Sequence, residues 1–204
     1  MSSWGANTSD ESKPKYLTDE EKTEVYATER GWELKNSKLT GNNNPAADTE
    51  VLVAIGGLAG GTSTTAGLGR GTISSVSLVT DSISAATGGT FQVKVHYNEK
   101  VDVTFVAGLG GTTPKLNLSH TRGGVGQANI EMSLVGTSPI NDNSLTFEAL
   151  ILGTTIDAND VLSIGAQSIN KNGGDIKDSG TTVDSELAIT AAQGTAAGSV
   201  TVSA

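Results

Sequence analysis

Between Phe91 and Phe105 the chain reads FQVKVHYNEKVDVTF. Phe91, Val93, Val95 and Tyr97 share one parity, with Gln92, Lys94 and His96 between them, and the alternation resumes at Val101, Val103 and Phe105. A period of two, with β-branched and aromatic residues on one side and polar ones on the other, predicts half-buried strands packed on a core. The polar triplet Asn98-Glu99-Lys100 reads as the turn that joins two of them.

Further alternating segments follow the same logic. Ile73–Thr80, Leu116 with Leu118, Ile130–Leu134, Leu145–Ile151, Val161–Ile164, Leu187–Ile189 and Ser199–Val202 are candidate strands. Turn clusters separate them at Arg122–Gly124, Ile140–Asn143 and Asn172–Asp175. Short strands at this spacing predict an all-β, immunoglobulin-like β-sandwich over residues 72–204. No helical periodicity is apparent in that range.

The first 71 residues have a different character and read as an anchoring arm followed by a Gly-rich linker. Residues 1–12 are small, polar and acidic around Trp4, a composition that predicts disorder. Thr18 to Glu21 fits a capping box and predicts a short helix from Asp19 to about Thr23. Val25–Ala27 and Gly31–Leu34 read as short extended pieces. Lys35–Asp48 is a linker by composition, Glu50–Ile55 a strand, and Gly56–Gly71, with seven glycines, a loop with little to bury.

Residues 13–34 hold two of the three tyrosines and one of the two tryptophans. Such rings pack back on the sandwich, or anchor the arm to a partner, since Trp, Tyr and Arg dominate interface hot spots, or belong to a disordered segment. The partner-binding candidates are Trp4, Lys13, Pro14, Lys15, Tyr16, Tyr26, Arg30 and Trp32.

The chemistry-bearing residues do not assemble into a catalytic pattern. There are no cysteines and only two histidines, His96 on the polar parity of its strand and His120 in a turn region, so no zinc-ligand spacing exists. No Gly-x-Ser-x-Gly elbow or nucleotide-binding glycine motif opens a helix. Asp157 with Asp160, and Asp175 with Asp178, sit among turn residues and read as solvated carboxylates; calcium is the metal that such oxygens suit, but no EF-hand spacing is present. The expectation is a protein that is not an enzyme and needs no cofactor or metal.

A net charge of −9 argues against nucleic-acid binding, which needs clustered Lys and Arg. The first residues lack a basic segment followed by an apolar one, and Val51–Ile55 is the longest apolar run, far below the ~20 residues that span a bilayer. The expectation is a protein made in the cytoplasm without membrane contact.

The order of motifs resembles the immunoglobulin-like repeats of bacterial surface and adhesin proteins, including those of the swimming-protein type. Val95, Tyr97, Glu99, Val101 and Val103 fit the strand, acidic turn and valine-rich strand of that family. Leu145-Thr-Phe147, Asp157 to Asp160, Leu162-Ser-Ile164 and Asn172-Gly-Gly-Asp-Ile-Lys-Asp178 follow in the family's order. Ser179-Gly180-Thr181 departs from it, where Ala-Gly-Asn is usual. Separately, Trp4-Gly5, Lys13-Pro-Lys15-Tyr-Leu17 and Tyr26-Ala-Thr-Glu-Arg-Gly-Trp32 resemble the opening of virion structural proteins of marine tailed phages, cyanophages among them.

Together these resemblances imply a capsid decoration or head outer protein, localised on the virion surface and anchored by its arm. The implied partners are the major capsid or other virion proteins and further copies of the chain, with a host-surface glycan as a further ligand. The alternative is a bacterial cell-surface adhesin-type binding module that uses loops such as Arg122–Gln127.

Overall fold

The computed structural model describes residues 13–35, 49–59, 68–108 and 110–204. Trp4 and most of the Asn-rich and Gly-rich linkers lie outside the described residues. The chain is all-β in character, with fourteen short or medium strands and two short helices among those residues.

The amino-terminal elements are α1 (Asp19–Glu24), β1 (Val25–Thr28), β2 (Gly31–Leu34) and β3 (Glu50–Ala54). The expected capping box is present: Glu21 N–H donates to Thr18 Oγ1 at 3.2 Å and Thr18 N–H to Glu21 Oε2 at 2.8 Å. β1 and β2 form an antiparallel hairpin, and β3 pairs with β2. Gly31, at φ +131°, allows this pairing, because a Cβ there would lie 2.0 Å from the Val53 carbonyl oxygen.

Val25, Ala27, Trp32 and Leu34 bury against Leu17 and Leu58 in a small core of their own. The segment expected to have little to bury thus supplies Leu58, only 1% exposed.

The main body comprises β4 (Ile73–Leu78), β5 (Gly89–Thr104), β6 (Lys115–Arg122), β7 (Val125–Gly126), β8 (Ile130–Leu134), β9 (Ile140–Ile151), β10 (Val161–Ser163), β11 (Gln167–Ser168), β12 (Asp175–Asp178), β13 (Ala188–Ile189), α2 (Ala191–Ala197) and β14 (Ser199–Thr201). Its core includes Phe91, Val93, Val95, Tyr97, Val101, Val103, Leu116, Leu118, Met132, Leu145, Phe147 and Leu162. The longest path of paired strands runs β14-β10-β6-β8-β9-β5-β1-β2-β3, with β4 and β12 also on β5 and β7 on β6. β5 is therefore the hub, and β1 reaches it by a parallel pairing of Ala27 with Glu99.

Three expectations are corrected. Asn98-Glu99-Lys100 is not a turn: β5 runs unbroken for 16 residues. In its pairing with β9, His96 meets Ser144 and Val101 meets Asp142, so Tyr97 to Lys100 bulge opposite Asn143 alone. A bulge accommodates polar residues while the strand continues, and the odd parity of the apolar residues runs straight through Glu99. Ile140–Asn143, expected as a turn, instead opens β9, with Asn141 exposed, Asp142 half-buried and Asn143 buried opposite the bulge. Finally, α2 contradicts the expectation of no helix after residue 72. Its Ala- and Gly-rich sequence has no apolar stripe, but Thr190 and Gln193 form a capping box.

Candidate functional site

The hairpin and the main body meet along the middle of β5, and the groups of greatest chemical interest lie at that seam. Glu99 shares the inward parity of Tyr97 and Val101 and is 2% exposed. Asp178, the last residue of β12, pairs in register with Val101 and is 1% exposed. That register makes the two carboxyls diagonal neighbours on one face, and they hydrogen-bond to each other.

Burial first, and then the Asp178 charge, push the Glu99 carboxyl up to about 8. Burial likewise raises Asp178. The pair therefore holds a shared proton at neutral pH, because two charges here would face each other in a medium that solvates neither. Asp178 also accepts from Thr181 Oγ1 at 3.1 Å. Glu99 Oε1 and the Ser185 hydroxyl are buried with no hydrogen-bond partner among the described residues.

Glu99 and Asp178 line a cleft of about 650 Å³ together with Tyr26, Arg30, Glu33 and Lys100. Glu33 is 3% exposed. Burial works to raise its carboxyl, but hydrogen bonds from Arg30, Thr49 and Thr28 outweigh it and hold the group below the usual range. Arg30 Nε donates at 2.8 Å and Thr28 Oγ1 at 2.7 Å. Lys100 Nζ sits 5.4 Å from the centroid of the Tyr26 ring, a cation–π contact across the seam. Lys35 and Asp142 add an ion pair at 2.7 Å.

His96, on the other face of β5, is 5% exposed and lies beneath the α1 segment. Its Nε2 is 3.1 Å from Ser77 Oγ, and its Nδ1 has no partner among the described residues. Burial, reinforced by the cations Lys94, Lys13 and Lys35, lowers it to about 4, so the imidazole is neutral at pH 7.

A third polar cluster lies away from the seam. His120, expected in a turn, is on β6, and its Nε2 donates to Asp160 Oδ2 at 2.7 Å. Arg122 Nη2 also reaches that oxygen at 2.9 Å, while its Nη1 pairs with Asp157 at 2.7 Å. The Asp157 N–H donates to Asp160 at 2.8 Å. The Arg122 guanidinium holds the Asp160 carboxyl well below the usual carboxylate range. Asp160 and Asp178 are thus not solvated turn carboxylates, whereas Asp157 and Asp175 remain substantially exposed.

The Asp160 cluster clamps β6 to the loop before β10, a structural use. Asp160→Asn, which keeps the shape but loses the charge on two cationic hydrogen bonds, is expected to lower Tm by about 5 °C in a thermal melt.

The residues singled out as partner anchors divide. Tyr26 and Trp32 are 4% and 2% exposed, so their rings are spent within the chain. Pro14 is buried, and Lys13 donates to the Lys22 carbonyl at 2.9 Å with its Nζ 5.9 Å from the Trp32 ring centroid. Burial lowers the Lys13 ammonium to about 8. Arg30 is exposed at the cleft rim while bonded to Glu33. Lys15 and Tyr16 face solvent, Tyr16 at 72% exposure.

Glu99, Asp178 and Ser185 were not among the expected site residues; the signal for Glu99 was its place on the inward parity. Among the described residues, no group of three or more Asp, Glu or His side chains is arranged to hold a metal ion, and no helix is long and apolar enough to cross a membrane. No family model, curated protein or solved structure matches this chain.

Proposed function

We propose that this chain is a structural protein of a tailed-phage particle, a capsid decoration or head outer protein. In this reading the main body is an immunoglobulin-like sandwich displayed outward, and the amino-terminal unit attaches it to the capsid. The observation that carries the reading is the two-part build: the amino-terminal segment folds as a hairpin with its own small core and leaves Lys15 and Tyr16 outside. An aromatic side chain held at 72% exposure beside a lysine, on a segment braced by a capped helix, is the kind of group that interface cores use. The all-antiparallel pairing of the main body's named strands is consistent with a sandwich.

The test is cosedimentation with purified particles. Deleting the whole segment is a poor probe, because it uncovers His96 and Glu99. Tyr16→Ala removes an exposed ring without touching either core. It is expected to weaken particle association by about 2 kcal/mol, roughly 30-fold, with Tm unchanged. Wild-type affinity in a protein carrying both Tyr16→Ala and Lys15→Ala would overturn this mode of attachment.

The adhesin-type alternative draws on the β6–β7 turn, where the Arg122 clamp holds Val125 at 65% exposure. Binding of a Val125→Asp variant to particles, but not to cell-surface polysaccharide, would separate the two readings.

A further inference from the structure

We propose that Glu99, Asp178 and Ser185 form a binding site for a hard divalent cation, calcium, with Glu99 and Asp178 on the lining of the seam cleft. Register places the two carboxyls together, as Asp178 pairs with Val101, two residues from Glu99 on β5. Apart from those carboxyls, the site holds an oxygen that nothing in the described fold satisfies. Ser185 is 3% exposed and its hydroxyl has no partner; Glu99, 2% exposed, leaves Oε1 in the same condition.

Gly71 shows that these groups border one space. A Cβ on Gly71 would lie 3.1 Å from both Ser185 Oγ and the Val101 Cγ1 methyl and 3.6 Å from Glu99 Cγ, so its bare Cα leaves room beside all three. Thr181 Oγ1, 3.1 Å from Asp178 Oδ2, lies at the same end of β12.

The donor chemistry selects the ion. Every candidate ligand is oxygen, which suits calcium and not zinc, a metal of nitrogen and sulfur sites. Binding releases the proton that the two carboxyls share; the two carboxylates then supply up to four oxygens and Ser185 a fifth, and water entering from the cleft completes the six to eight that calcium takes. Magnesium demands a tighter octahedron than a bidentate pair of carboxylates provides. The cations at the cleft are engaged elsewhere: Arg30 with Glu33, and Lys100 over Tyr26. Asp102, whose charge acts on Asp178, adds to the negative field. With two acidic ligands instead of three or more, the affinity belongs at the weak end of protein sites, a Kd of about 10⁻⁴–10⁻³ M.

The test titrates the full chain with calcium chloride alone, after chelator treatment, by calorimetry and thermal unfolding. The expected result is one calcium per chain and a Tm that climbs with the logarithm of calcium concentration. Magnesium should give a much smaller rise. Glu99→Gln is expected to abolish the response, and Ser185→Ala, which removes only an unpartnered hydroxyl, to weaken binding about tenfold.

The proposal fails if wild type shows neither heat nor a Tm rise up to about 10 mM calcium, well above the expected range. It fails equally if Glu99→Gln responds as wild type does, which assigns the ion to the acidic surface. Unchanged affinity in Ser185→Ala removes that residue and the site as drawn.

Discussion

Trp32→Ala is expected to cost about 3–5 kcal/mol and to detach the hairpin at a lower temperature than the main body unfolds. Trp32 is the largest member of a core that otherwise comprises Leu17, Val25, Ala27, Leu34 and Leu58. So small a core cannot redistribute the loss. The strand pairing between the hairpin and the main body is a single parallel bridge, Ala27 to Glu99, supported by the Lys35–Asp142 ion pair and the Lys100–Tyr26 contact. Partly exposed charge pairs contribute little, so the hairpin's hold depends on its own packing.

His96 reports the event directly. It is held near 4 because the α1 segment buries it among Lys94, Lys13 and Lys35. A depressed histidine contributes stability that is present above its unfolded value of about 6.5 and lost as pH falls through about 4. In Trp32→Ala the imidazole regains water, and its NMR titration midpoint should climb toward about 6.5. A midpoint that stays near 4 in the variant would mean that the hairpin is not what covers His96.

The seam explains what the sequence disclosed and what it concealed. Phe91 to Val103 and Leu145 to Phe147 announced themselves because alternation is a local property, and the structure buries every apolar member of those runs. Thr18 and Glu21 were legible because a capping box needs only four residues.

Glu99 was misread because a carboxylate within a polar triplet is, by local statistics, a turn residue. Only the partner strands β1 and β12, from distant parts of the chain, turn that triplet into a covered bulge. Asp160 was hidden in the same way, its burial decided by His120 and Arg122, about 40 positions earlier. Tyr26 and Trp32 were visible as unusual, but whether a ring faces a partner or its own chain depends on distant residues: Leu58, which the glycine-rich context disguised, for Trp32, and Lys100 for Tyr26. Capping boxes and alternation were readable; long-range carboxylate partners were not.

Glu99→Gln should stabilise the protein in alkaline buffer, by about 3 kcal/mol at pH 8.5 in the presence of chelator, or about 8 °C in Tm. The sign follows from the direction of the shift. Glu99 is raised from 4.5 to about 8, so folding is favoured fully below pH 4.5 and loses that contribution as pH rises to about 8. Burial raises Asp178 as well, which acts in the same sense.

Glutamine presents an N–H to Asp178 where protonated Glu99 presents its O–H, but it has no proton to release. Its stability should therefore decline less, through Asp178 alone, across the interval in which wild type loses both contributions, and the two proteins should converge near pH 4. His96 opposes this slope on the acid side, since its contribution falls as pH drops from 6.5 to about 4. Wild type is consequently expected to be most stable in a mildly acidic window bounded by two groups on opposite faces of β5. The variant should soften only the alkaline boundary of that window. Thermal melts of both proteins from pH 4 to 9 decide the matter, and parallel profiles would show that Glu99 and Asp178 are not a proton-sharing pair.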